Sequence, residues 1–310
     1  MLYTVTFNPA IDYLMHLDRL TPGVLLRSGR ENAFFGGKGI NVSQVLQRLG
    51  IENTALGFVA GFTGEALVNG LSAAGVRTDL IRLPQGLTRI NVKLRADTET
   101  DINGRGPAVD AASIDRLFDK LRTLTAGDTL ILAGSVPGDL PQDIYDRMLR
   151  CIEGRSVRIA VDTSGEPLRH CLRHAPFLLK PNAEELGELL GCPVETPEDA
   201  AVGARRVQAM GVKNVLVSMG GIGAVLADES GTCRFCPAVR GHAVDTTGAG
   251  DSMLAGFLAA LSRGEGPVQA LRLGTAAGAA TAFTEGLADR AAIEQQLSAV
   301  CAAAEKERLL

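Results

Sequence analysis

The sequence predicts an α/β protein: a three-layer α/β/α sandwich around a parallel sheet, with a small β-sheet lid set apart from it. Three observations lead there. Short β-branched runs alternate with stretches of helical period along most of the chain, the pattern of a sheet covered by helices on both faces. Several runs are apolar throughout, as strands buried on both sides are. A few others, early in the chain, alternate apolar with polar residues, and such strands fit poorly beneath helices.

Taken in order, run 2–7 is a compact apolar strand, and 12–17 and 28–35 are the first lid candidates. Val42, Val45, Leu46 and Leu49 recur at i, i+3, i+4 and i+7, a helix whose apolar stripe faces the sheet and which stops at Gly50. Run 53–59 is a buried strand. At 88–95, Ile90, Val92 and Leu94 alternate with Asn91, Lys93 and Arg95, a strand with one wet face, and 98–103 joins it in the lid. Ordinary edge strands of the main sheet are the alternative for these four segments. Buried strands follow at 129–133, 158–161, 177–179 and 214–218, then Ala/Gly-rich helices at 249–260, 268–283 and 290–304. Small residues at Gly274, Ala277, Gly278 and Ala280 admit either a close helix or a flat ligand.

The 310 residues, 46% of them hydrophobic, suffice for one domain spanning 1–310. A net charge of −4 argues against a nucleic-acid partner, so any phosphate site is local. No apolar run approaches the roughly 20 residues that span a bilayer, and the first residues read as a strand instead of a signal peptide; the expectation is a cytoplasmic protein with no membrane partner. Six scattered cysteines in a chain of this size read as reduced thiols.

The strongest local signal is Asp-Thr-Thr-Gly-Ala-Gly-Asp at 245–251, placed directly before an apolar helix. Glycines at a helix start leave backbone N–H groups open, and the helix dipole adds positive potential, so the turn can hold an anion such as a transferring phosphoryl group. Asp251 in the same turn would be stabilised as an anion by the helix end, within reach of an attacking hydroxyl. An Asp-capped helix with a tight turn accounts for the same residues without chemistry.

A second glycine cluster, Gly36-Gly37-Lys38-Gly39-Ile40-Asn41, also opens a helix. It is not a P-loop, because Gly39 stands where Ser or Thr would, and the chain has no G-x-G-x-x-G. Gly37, Lys38 and Asn41 offer close backbone approach, a cation and an amide, a set suited to a polyhydroxylated ligand. Asp12 falls near the carboxyl end of the first strand, where ligands of open α/β sheets bind, and can accept sugar hydroxyls or simply form a turn. Lys180-Pro181-Asn182 ends a strand, with Asn182 as N-cap and Glu185 as its capping-box partner. The same pair can organise Mg2+ through water. His170 and His174 read as an exposed pair, Cys233-x-x-Cys236 as lying between strands, and Ser135 lacks a hydrolase context.

In this order the motifs resemble the ribokinase-like (phosphofructokinase B-type) carbohydrate kinases over essentially the whole chain. Within the family, 8–12, 37–42 and 88–94 are most similar to enzymes acting on fructose 1-phosphate. The resemblance implies phosphorylation of its 6-hydroxyl by ATP with Mg2+. It makes Asp251 the base and Gly248, Ala249 and Gly250 the anion hole. Asp12, Gly37, Lys38 and Asn41 would grip the sugar, and Arg89 its phosphate, with Lys38 and Arg105 assisting. Lys180, Asn182, Ser218, Gly220 and Gly223 match ATP-lining positions, and Glu185 the magnesium motif. A homodimer paired through the lid is also implied. Some relatives carry a sugar-phosphate lysine in the segment matching 23–27, where this chain has Gly-Val-Leu-Leu-Arg; the anchor then shifts to Arg27 or elsewhere. Tagatose 6-phosphate is the competing substrate. A nicotinamide-dependent dehydrogenase and a non-catalytic sugar-binding regulator are the readings from other classes.

Overall fold

A computed structural model describes residues 1–307, with side chains as far as residue 303. The first half of the chain runs β1 (Leu2–Thr6), β2 (Ala10–His16), β3 (Arg30–Gly36), α1 (Lys38–Arg48), β4 (Asn53–Val59), α2 (Gly61–Ala73), β5 (Ile81–Arg82), β6 (Arg89–Arg95), β7 (Thr100–Asn103), α3 (Ala111–Leu121), β8 (Thr129–Ala133) and α4 (Ile144–Cys151). The second half runs β9 (Arg158–Asp162), α5 (Gly165–Leu172), β10 (Leu178–Leu179), α6 (Ala183–Leu190), α7 (Pro197–Gln208), β11 (Asn214–Ser218), β12 (Gly223–Ala227), β13 (Cys233–Pro237), α8 (Ala249–Ser262), α9 (Pro267–Ala282) and α10 (Arg290–Glu307).

Two sheets result. The nine-stranded one has the order β13-β12-β11-β10-β9-β8-β1-β4-β5, parallel from β11 to β5, with β12 and β13 added antiparallel at one edge. Its strands are apolar on both faces because helices cover both. Val5, Leu130, Leu132, Val215 and Val217 pack with α3, α4, α5 and α7 on one side, while Leu2, Ile131, Leu178 and Leu216 pack with α1, α8, α9 and α10 on the other. The stripe Val42, Val45, Leu46 and Leu49 is fully inside that second layer, as its spacing predicts.

The second sheet has the order β3-β2-β6-β7 and contains all four alternating segments. Its strands pair only with one another, so the reading as edge strands of the main sheet falls. One feature reverses the expectation. On β6 the polar residues Asn91 and Lys93 are the buried ones, at 7% and 8% exposure, whereas Ile90 is 40% exposed. The wet face of this strand is turned inward, toward a cavity over the main sheet.

Three smaller expectations change. The helix read at 249–260 begins at Ala249 as expected, which puts Asp251 inside its first turn, whereas the motif also reads from sequence as standing ahead of the apolar run. His170 and His174 are not exposed: their side chains are 19% and 15% accessible. His174 lies beyond the end of α5, where its Nε2 meets Asp146 Oδ1 at 2.8 Å. Burial alone would raise the Asp146 pKa, but His174 and Arg150 hold it below the usual carboxylate value. Cys233 and Cys236 sit within β13 itself, three positions apart and therefore on opposite faces of the strand. Among the described residues no helix is long and apolar enough to cross a membrane.

Candidate active site

Side chains converge where the parallel strands end. Asn8 follows β1, Asp162 closes β9, Lys180 follows β10 and Ser218 closes β11, all at carboxyl ends, the side on which open α/β sheets bind ligands. The small sheet stands over this edge. Between the two lies a cavity of about 510 Å3, lined by Asp12, Gly37, Lys38, Asn41, Arg89, Lys180, Asn182, Glu185, Ser218, Gly248, Gly250 and Asp251 among others. A second cavity, about 470 Å3, continues past Ser218 and Gly250. Its walls include Gly220, Gly223, Val239, Ala249, Met253, Ala279 and Phe283 beside Arg240, Thr246 and Thr275, mainly apolar and large enough for a heterocyclic base.

Two glycine turns shape the first cavity. Gly37 caps α1 with φ at 114°, and a Cβ on Gly39 would lie 2.8 Å from the Val5 carbonyl oxygen, so only glycine lets α1 start against the end of β1. Gly248 caps α8 with φ at 78°. The N–H groups that follow it open the helix without intrahelical acceptors, and Gly250 brings no side chain between them and Lys180, whose Nζ would be 3.3 Å from a Cβ there.

Around that turn the charges interlock. Asp162, 1% exposed, meets Lys180 Nζ at 3.2 Å and Lys38 Nζ at 3.5 Å. Burial would lower the Lys38 pKa, but Asp162, Asp251 and Glu185 outweigh it and raise it, so the ammonium stays charged. Asp251 accepts a hydrogen bond from Asn41 Nδ2 at 2.8 Å. The expectation that the helix end keeps Asp251 a plain anion is corrected here: burial, reinforced by Asp162, pushes its carboxyl up to about 6 against the pull of Asn41, Lys38 and Lys180. The carboxyl thereby gains basicity suited to accepting a hydroxyl proton near neutral pH.

On the small-sheet side, Asp12 accepts from Asn91 Nδ2 at 2.7 Å. Arg89 donates from Nε to the Asn8 carbonyl at 3.2 Å; half-burial lowers its pKa, partly offset by Asp12. The capping box read from the sequence is present, with Glu185 N donating to Asn182 Oδ1 at 2.7 Å and Asn182 N to Glu185 Oε2 at 2.9 Å. Arg105 stands apart. It is exposed and lines neither cavity, and its carbonyl takes a hydrogen bond from Asn8 Nδ2 at 2.8 Å.

Sequence reasoning missed Asp162, Asn91, Lys93, Asp101, Asn103 and Thr247, all of which line the first cavity. The only signal for Asp162 was its place after Ile-Ala-Val at a strand's end. For Asn91 and Lys93 the signal was the alternation of β6, which identified two faces but not which one was inside.

An open helix start, a raised carboxyl and paired lysines at the strand ends, with a second cavity adjoining, suit the transfer of an anionic group. The chain belongs to the pfkB family of carbohydrate kinases, whose model matches residues 5–293, and the ribokinase-like fold expected from the motifs is the one found. It is 40% identical over 300 residues to 1-phosphofructokinase of Bacillus subtilis, covering 97% of this chain and 98% of that one. It is 35% identical over 301 residues to D-tagatose-1-phosphate kinase of Bacillus licheniformis, with 97% and 98% covered. Phosphofructokinase-2 of Escherichia coli, solved in complex with substrates and products, superposes with a TM-score of 0.91 at 26% identity, covering 97% of this chain and 99% of that one.

Proposed function

We propose that this kinase transfers the γ-phosphoryl group of ATP to the 6-hydroxyl of fructose 1-phosphate, the reaction of a 1-phosphofructokinase. The observation that carries the reading is the placing of Asp251. A carboxyl raised to about 6 sits in the first turn of α8, so base and anion-binding N–H groups share one turn. The likeness to the Bacillus subtilis enzyme supports the choice of sugar.

In this reading ATP lays its base in the second cavity and its phosphates across Ser218, Asn182 and Lys180 toward Gly250. The sugar lies in the first, its hydroxyls on Asp12 and Asn41 and its phosphate on Arg89, whose planar fork matches phosphate oxygens. The 6-oxygen bonds to the γ-phosphorus, its proton passes to Asp251, and the bond to the bridging oxygen of ADP breaks. Gly248 and Gly250 hold the phosphoryl oxygens through their backbone, and Ala249, whose N–H donates to the Thr246 carbonyl at 3.2 Å, keeps the turn between them closed, while Lys180 and Lys38 offset charge; positioning and neutralisation supply most of the acceleration. Magnesium, when bound with the nucleotide, shields the phosphates. Glu185 fits that role, since capping engages Oε2 while the carboxylate still lines the cavity, and Asn182 and Glu185 would hold the ion through water.

The Bacillus licheniformis relative favours tagatose 1-phosphate as second substrate over tagatose 6-phosphate. Tagatose differs from fructose at the C4 hydroxyl alone, so the phosphate grip at Arg89 would be unchanged. Coupled ATPase assays on fructose 1-phosphate, tagatose 1-phosphate, tagatose 6-phosphate and fructose 6-phosphate decide. The highest kcat/KM is expected for fructose 1-phosphate, and a tenfold preference for any of the others overturns the choice.

A further inference from the structure

Lys93 is a buried cation in the cleft with no role in the mechanism above. It lines the 510 Å3 cavity and is only 8% exposed. Lys38 and Lys180 are both paired with Asp162, yet among the described residues Lys93 makes no ion pair. Its cross-strand neighbour is Asp101, and that carboxylate is taken by Arg95 at 2.9 Å. An ammonium without an ion-pair partner in the wall of a ligand-sized cavity is placed to act on what lines that cavity or enters it.

The contact it does make indicates one. Lys93 Nζ donates to Thr247 Oγ1 at 3.3 Å, which joins the small sheet to the turn that opens α8. Within the turn, Thr247 N donates to Asp245 Oδ1 at 2.8 Å and Ala249 N to the Thr246 carbonyl at 3.2 Å. The turn is thus braced from inside by its own residues and from outside by Lys93. Gly248, the next residue, has φ at 78° and little stiffness of its own.

We propose that Lys93 is a positioning residue for phosphoryl transfer, acting through Thr247: the small sheet, besides covering the sugar, holds the anion-binding turn in register. An ammonium has three donors, and one is spent on Thr247. Losing an aligned donor to a developing charge typically lowers kcat by about 10²–10³; loosening several by a few tenths of an ångström should cost roughly tenfold to hundredfold.

This inference rests on the phosphoryl-transfer reading, and the experiment separates the two. Lys93→Met and Thr247→Val are each expected to lower kcat roughly tenfold to hundredfold with KM for the sugar phosphate within about threefold, and the double variant to be no worse than either alone. Thr247→Ser, which keeps the hydroxyl, restores kcat. Amide hydrogen exchange over 247–251 in the ligand-free protein is expected to be faster in Lys93→Met than in wild type, a readout that needs no activity. Additive losses, a loss confined to KM, or Thr247→Ser as impaired as Thr247→Val overturns the inference, and so does unchanged exchange over the turn in an otherwise active enzyme. Wild-type protein that phosphorylates no sugar phosphate overturns the functional reading instead, leaving the exchange comparison to decide on Lys93.

Discussion

At Asp251 two effects oppose each other on one carboxyl group. The start of α8 favours the anion, while burial and the nearby charge of Asp162 disfavour it and prevail, raising the pKa from 3.8 to about 6. Since kcat/KM reports the free enzyme, it should fall on the acid side with an apparent pKa near 6; a limb near 4 would show an ordinary, solvated carboxylate. Asp251→Asn removes the proposed base and should lower turnover by at least about a thousandfold, with sugar-phosphate affinity by calorimetry nearly intact. The same shift has a sign in stability. A carboxyl whose folded pKa is raised favours the fold below its unfolded value of 3.8, and that contribution is lost as pH rises through about 6. Asp251→Asn should therefore be more stable than wild type at pH 8, by on the order of 3 kcal/mol, with a correspondingly higher melting temperature, and close to wild type at pH 4. Equal melting at both values would mean that burial does not strain this group. Asp251 was legible because Gly-Ala-Gly precedes it. Asp162, which sets its electrostatics, was not, since a lone carboxylate after an apolar run has no local grammar and gains meaning only when β9 and β10 lie side by side and bring Lys180 to it.

Among the elements, those whose packing is local were the most legible. The stripe of α1 and the caps of α6 are written in residues three or four apart, and both formed as read. The β12 and β13 edge was missed because its pairing depends on two turns, one through Gly220, Gly221 and Gly223 and one from Asp228 to Thr232, that periodicity does not register. On β6 the period of two was plain, but the usual rule that apolar residues face inward failed, since the space inside is a polar cavity and not a core. The start of α6 carries a prediction, because capping and the proposed metal binding draw on the same side chain. Glu185→Gln preserves the capping box, so stability should change by less than about 0.5 kcal/mol. The lost charge should raise the magnesium concentration for half-maximal activity several-fold. If stability falls by a full cap's worth, about 1 kcal/mol, with magnesium dependence unmoved, Glu185 is a structural residue only.

For the whole molecule, the inversion of β6 leaves an apolar face turned outward. Ile90 and Ile102, on adjacent strands of the small sheet, are 40% and 58% exposed, and Val24 and Leu25 in the loop between β2 and β3 are 58% and 83% exposed. Apolar side chains gathered on a sheet whose other face is already committed to a cavity fit a partner surface better than water. A second copy of this chain is the simplest occupant, because the same face on both partners is self-complementary about a twofold axis, and the family resemblance implies that pairing. Light scattering should give the mass of a dimer at micromolar concentration. Ile90→Glu with Ile102→Glu places like charges on both sides of the contact and should yield a folded monomer with an unchanged circular dichroism spectrum. The monomer should also bind sugar phosphate less tightly, because Arg89 and Asn91 ride on the strand whose other face has lost its support. A wild-type monomer, or a dimer indifferent to both substitutions, would place the contact elsewhere and leave the exposed isoleucines without a partner.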